Sequence, residues 1–219
     1  MNSSRHGRMT VAINLYVCDY RLMSFSKNTN DFHSLKGHLL LAMPHMNDPR
    51  FHRAVIFMCV HDEKGAMGMV INNPLPSPDF TDVLSQVGIN PDAPLDASVR
   101  NVPVLSGGPV QGVHGFLLHS ADFQQKDTIQ VDDLFSISGT IDSLRSIVGG
   151  YRPEKMLFTL GYAGWGPGQI EQELQENMWL STQAGHEIVF DTRPEDKWEK
   201  AFSVLGISPA MISTIAGRA

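Results

Sequence analysis

Apolar positions along this chain fall into two rhythms. Leu39-Leu40-Leu41-Ala42-Met43, halted by Pro44, and Ala54-Val55-Ile56-Phe57-Met58-Cys59-Val60-His61 are short unbroken runs of buried-strand length. Asp62-Glu63-Lys64-Gly65 then supplies turn chemistry and Met67–Asn72 runs back, so the second and third runs form a predicted hairpin. Their apolar content on both faces predicts a sheet covered on both sides. Further strands are predicted over Val102–Ser106, Phe116–His119, Thr128–Val131, Leu134–Ile137, Met156–Leu160 and Glu187–Phe190.

The second rhythm is helical. Phe80, Val83, Leu84 and Val87 recur at i, i+3, i+4 and i+7, with Ser77-Pro78 read as cap and first position and Gly88 as the stop. Thr140 opens a helix carrying Ile141, Leu144 and Val148, ended by Gly149-Gly150. Gln169–Trp179 is predicted as a third helix. Pro194 opens a fourth with Trp198, Ala201, Phe202 and Leu205 on one face, and Ser208-Pro209 starts a short terminal one. Strands and helices intersperse without strict alternation, which predicts an α+β domain with a mixed sheet. No repeat or linker divides the body, which runs from Leu35 to the C-terminus.

Composition narrows the function classes. With 219 residues the chain is long enough for one substantial core, burying about 70% of its unfolded surface. Lys and Arg number 17 against 23 acidic residues, a net charge of −6, which disfavours nucleic acid or another polyanion as a partner. Arg50 and Arg53, with His45 and His52, make the local positive patch, read as a solvated loop. Two distant cysteines, Cys18 and Cys59, argue against a disulfide framework and for a reducing compartment. No apolar run approaches the roughly 18 residues of a membrane helix. Near the start, Arg5 and Arg8 precede the apolar stretch Val11–Cys18, but Asp19 and Arg21 follow without a cleavage site. Residues 1–34 are therefore expected to be an extension, or translation assigned upstream of Met23.

The densest chemical signal is Gly161-Tyr162-Ala163-Gly164-Trp165-Gly166-Pro167-Gly168, read as a glycine-rich turn leading into a helix with Glu171 and Glu173. Its spacing is neither a Walker loop nor a dinucleotide fingerprint, and the glutamates repel an anion at that helix start. Nine histidines give no metal-site spacing, so no metal or other cofactor is expected. His61 and His119 each end a predicted strand and are expected to converge at one sheet edge, joined by Asp48 and Glu171. Ser106 before Gly107-Gly108 lacks the nucleophile-elbow pattern and reads as a tight turn.

Together these residues carry a resemblance. Ala42-Met43-Pro44, Asp48 with Phe51, His61 with Gly65-Ala66-Met67-Gly68, Asn72, Gly107-Gly108-Pro109, Leu118-His119, the Gly161–Gly166 run, Gln169-Ile170-Glu171-Gln172-Glu173 and Trp179 resemble the AlgH/YqgE family of bacterial proteins. The resemblance implies a compact α+β fold around a mixed, partly barrel-like sheet, in the bacterial cytoplasm. It also implies a transcriptional-regulator label without an accepted DNA-binding motif or enzymatic activity. This chain departs at Ile170, where leucine is usual, and at Asn73, where a basic residue often precedes Pro74. The candidate ligand-binding residues are Asp48, His61, Asn72, Gly107, Gly108, His119, Tyr162, Trp165, Gln169 and Glu171. The leading expectation is a non-catalytic binding or regulatory protein whose groove, lined by His61, His119, Trp165, Gln169 and Glu171, takes a small molecule or a protein segment. The alternatives are a hydrolase or transferase with His61 or His119 as general base, and direct DNA binding.

Overall fold

A computed structural model describes residues 33–91 and 93–212; the reading of residues 1–34 as an extension lies almost wholly outside these. Nine strands form one sheet. They are β1 (His38–Ala42), β2 (Val55–Asp62), β3 (Gly65–Val70), β4 (Val104–Ser106), β5 (Val110–Ser120), β6 (Ile129–Gln130), β7 (Phe135–Ser138), β8 (Met156–Trp165) and β9 (Trp179–Gln183). The order is β6-β7-β5-β8-β3-β2-β1-β9, with β8 as the spine. Strand β8 is antiparallel to β5 and β3, while β4 lies parallel beside its first half, Val104 opposite Phe158. That single parallel pairing makes the sheet mixed.

The strands alternate with period two, but both faces are apolar because the sheet curls into a half-barrel with helices outside. Leu39 and Leu41 of β1 and Val55 and Phe57 of β2 point inward, where they meet Phe116 and Leu118 of β5 and Phe135 and Ile137 of β7. Phe57 and Phe135, from distant strands of the sheet order, sit 4.9 Å apart between ring centroids. Helix α5 (Lys197–Val204) fills the interior with Trp198, Ala201 and Phe202. The intervening side chains point outward. Leu40, Ile56 and Met58 pack with Trp165 and Trp179 under Ile170 of α4 (Gln169–Gln175). Leu117, Phe158 and Leu160 pack under α1 (Phe80–Gln86), α2 (Ala97–Arg100) and α3 (Ile141–Val148) through Phe80, Val99 and Leu144.

Several elements differ from the sequence expectation. The glycine-rich run is strand as far as Trp165; the turn proper is Gly166-Pro167-Gly168. Gly161, at φ 75°, kinks β8 within the strand, near the change of partner from β4 to β3 on one side. The helix at Gln169 ends at Gln175, not Trp179. Asn177 adopts φ 57°, and Met178 N–H bonds the Glu173 carbonyl while Asn177 N–H bonds that of Leu174. This is a Schellman stop with asparagine in place of glycine, and Trp179 then opens β9. Glu187–Asp191 is a π-helical turn rather than a strand, burying Ile188 and Val189; a short apolar run does not by itself distinguish the two. Helix α1 is capped by Asp79 through a reciprocal capping box with Asp82, not by Ser77.

Candidate functional site

His61, Trp165, Gln169 and Glu171 do come together, where the ends of β2 and β8 meet α4, as a polar seam bonded within itself except at Glu171 Oε2, a buried oxygen without a donor among the described residues. Leu35 N–H donates to His61 Nδ1 at 2.9 Å. That nitrogen therefore carries no proton, and Nε2–H donates to Glu171 Oε1 at 2.9 Å. The imidazole is almost fully buried, 1% exposed, while Glu171 is 38% exposed. Trp165 is 8% exposed and donates its indole N–H to Glu173 Oε2 at 2.9 Å. Trp179 donates to the same oxygen at 2.7 Å, and Gln169 Nε2 donates to Glu173 Oε1 at 2.9 Å. Gln169 Oε1 accepts Gly166 N–H at 3.0 Å, tying the glycine turn to the helix. Glu173, absent from the expected site, is the hub of this seam.

His119 lies elsewhere. Along β8 the register places Trp165 opposite Ala66, which faces His61, and Met156 opposite His119. Nine residues of strand, roughly 30 Å, separate the two positions, so the expected convergence at one edge does not occur. His119 is completely buried. Its Nδ1–H donates to the Ser120 carbonyl at 2.8 Å and its Nε2 accepts the Ser138 hydroxyl at 3.1 Å. Burial pushes its pKa below 6.5, against opposing contributions from the Ser120 carbonyl and from Asp122 and Asp127. Neither imidazole presents an unoccupied lone pair to a substrate, which a general base needs.

The remaining expected residues serve the backbone. Gly107 and Gly108 cross the kink in β8. A Cβ on Gly107 would lie 2.2 Å from the Gly161 carbonyl oxygen, and one on Gly108 2.3 Å from the Tyr162 carbonyl carbon. Tyr162 is half-buried, edge-on to Phe116 at 6.0 Å. Asp48 caps the short 3₁₀ turn Pro49–Phe51 and pairs with Arg50 at 2.6 Å, and that hydrogen bonding holds its carboxyl below the usual range. Asn72 bridges two segments: Oδ1 accepts Val55 N–H at 2.8 Å and Nδ2 donates to the Arg53 carbonyl at 2.9 Å.

Asn72 leads to a cleft of about 420 Å³ between the 43–53 loop and α5, lined by Met43, Pro44, His52, Arg53 and Glu199, with Pro209 beyond. Arg53 holds φ 52°, a left-handed conformation uncommon for a residue with a side chain. Its guanidinium lies over Trp198, 4.6 Å from the ring centroid, and donates to Glu199 at 3.1 Å. Trp198 is itself fixed, its indole N–H bonded to the Ala42 carbonyl at 2.8 Å. The result is a cation resting on an indole ring at the mouth of a partly apolar cleft. Among the described residues no group of three or more His, Cys, Asp or Glu side chains is placed to hold a metal ion. No helix among them is long and apolar enough to cross a membrane.

A family model described as AlgH-like matches residues 39–210, which spans the whole half-barrel and the cleft. The chain belongs to the AlgH-like family. A UPF0301 protein of Jannaschia sp. is 46% identical over 189 residues, covering 85% of this chain and 96% of the relative. The solution structure of the AlgH protein from Pseudomonas aeruginosa matches with a TM-score of 0.68 at 39% identity, covering 89% of this chain and all of that one. A Corynebacterium diphtheriae crystal structure, 18% identical, shares the fold with a TM-score of 0.65, covering 91% of this chain and all of that one.

Within this AlgH-like chain the cleft had one sequence signal, the Arg50, Arg53, His45 and His52 patch, read there as a solvated loop. No local pattern announces that Arg53 adopts a positive φ or that Trp198, 145 positions later, lies beneath it.

Proposed function

We propose that this AlgH-like chain is a non-catalytic binding protein of the bacterial cytoplasm with a regulatory role, and that its ligand occupies the Arg53–Trp198 cleft. One observation carries the reading: Arg53 is held in a costly left-handed backbone that lays its guanidinium on Trp198. Backbone strain in a residue with a side chain clusters at ligand sites, where surrounding contacts over-determine the geometry. A cleft that joins apolar walls, here Met43, Pro44 and Pro209, to a few polar groups is the usual make-up of a small-molecule site.

The rival readings have less support. Acid–base catalysis by His61 has a carboxylate in reach, Glu171 at 2.9 Å, but needs the Leu35 N–H removed from Nδ1. Direct DNA binding needs uncompensated cations, whereas Arg50 and Arg53 are paired with Asp48 and Glu199 and the net charge is −6.

A thermal-shift screen of the full chain against metabolites tests the reading. A ligand at a hundred times its Kd adds about 2.7 kcal/mol, roughly 5–11 °C for a domain of this size. The shift should vanish in Arg53→Ala. A ligand that stabilises wild type and Arg53→Ala equally would place the site elsewhere.

A further inference from the structure

Resting on the cleft as the binding site, we propose that its ligand is a monocarboxylate with an apolar body, and that Glu199 stands in for that carboxylate on Arg53. Among the described residues one guanidinium N–H of Arg53 is hydrogen-bonded, to Glu199 Oε1 at 3.1 Å. The pair is exposed, 53% for Arg53 and 66% for Glu199. Such a pair is worth little in water, so a second carboxylate displaces it readily. Lying over Trp198 and bonded to Glu199 through Nη2 alone, the guanidinium keeps further N–H groups that can take a carboxylate in the paired manner of arginine.

Charge selects a monoanion. Once displaced, Glu199 remains at the rim, and the chain as a whole carries −6. A phosphate dianion would meet that repulsion with Arg53 as the one guanidinium of the lining, beside His52, to offset it. The rest of the ligand is apolar because Met43, Pro44 and Pro209 form the wall beyond the guanidinium. A free aryl or alkyl acid and the C-terminal carboxylate of a peptide share this chemistry.

The test titrates the full chain with 3-phenylpropanoate, 3-phenylpropanamide, phenyl phosphate, and a short peptide ending in phenylalanine with a free or an amidated terminus. Binding is read from the Trp198 indole N–H resonance. The acid or the free-terminus peptide should bind at least about tenfold more tightly than its amide, the equivalent of one charge-assisted hydrogen bond. Whichever of the two is preferred identifies the source. Glu199→Gln, an exposed change with no folding risk, should tighten binding of the acid several-fold, and Arg53→Met should erase the difference between acid and amide. Equal binding of acid and amide at Trp198, preference for phenyl phosphate, or weakening by Glu199→Gln would overturn the carboxylate while leaving the cleft as the site. Silence at Trp198 from these probes and from every stabilising compound of the thermal screen would remove both.

Discussion

Asn72 holds the Arg53 carbonyl at 2.9 Å from one end of its amide and the Val55 N–H at 2.8 Å from the other. One side chain thus continues the β2 ladder and fixes the residue whose φ is 52°. That conformation costs an ordinary residue about 1–2 kcal/mol, so it persists only while its partners hold it. Asn72→Ala should lose roughly 1–3 kcal/mol in urea denaturation and weaken ligand binding at the cleft. Unchanged stability would show that the bridge does not hold Arg53.

Glu173 is the second such hub. Its Oε2 accepts the indole N–H groups of both Trp165 and Trp179, at 2.9 and 2.7 Å. Glu173→Leu leaves two buried donors without a partner and should cost roughly 1–3 kcal/mol for each. Glu173→Gln, which keeps an acceptor oxygen, should cost less. Equal stability of wild type and the leucine variant would contradict the clamp.

Gly107, which crosses β8 at Gly161, and Gly166, in the turn after β8, differ in their tolerance of a side chain. Gly107→Ala drives a Cβ to 2.2 Å from the Gly161 carbonyl oxygen, whereas one on Gly166 meets nothing nearer than 3.9 Å. Two backbones cannot separate there without breaking the β8 pairings, so Gly107→Ala should cost more than about 3 kcal/mol. Gly166→Ala should stay within roughly 1 kcal/mol of wild type. Comparable melting temperatures for the two variants would contradict the close crossing.

His119 sets an acid limit on stability. Its native pKa lies below the ordinary 6.5 because burial disfavours the charged ring. Above the unfolded value both states are neutral and its contribution is fully present. As pH falls below that value the unfolded chain takes up a proton first, so stability is lost until the native value is passed. Wild type should therefore lose stability more steeply than His119→Asn as pH falls through and below the ordinary imidazole value of 6.5 in urea titrations. Parallel slopes would show that His119 is not held neutral.

Much of the fold was legible because burial on both faces writes itself into runs such as Leu39–Met43 and Ala54–Val60. The errors have local causes. Ile170, Leu174 and Met178 continue a helical period past Asn177, whose left-handed backbone stops the helix two residues before β9. Gly161, Gly164 and Gly166 read as a turn because glycine marks unusual backbone, yet here Gly161 relieves a strand-against-strand crossing. The site was less legible. Of the expected groove, His61, Trp165, Gln169 and Glu171 lie together while His119 lies apart, and how far their polar atoms are satisfied depends on Leu35 and Glu173, which no local pattern announces. Arg53 and Trp198 are joined only by the curl of the sheet and the docking of α5.

The most direct measurement is a backbone and indole amide map of ligand binding on the full chain, in wild type and in Arg53→Gly. Glycine relieves the left-handed strain and removes the stacked cation, whose contact is worth about 0.5–1 kcal/mol at an exposed site. Folding stability should therefore stay within roughly 1 kcal/mol of wild type. The cleft reading predicts shifts clustered at Arg53, Trp198 and Ser208 in wild type, lost in the still-folded glycine variant. Shifts clustered along Gln169 and Glu171 that survive Arg53→Gly would contradict it.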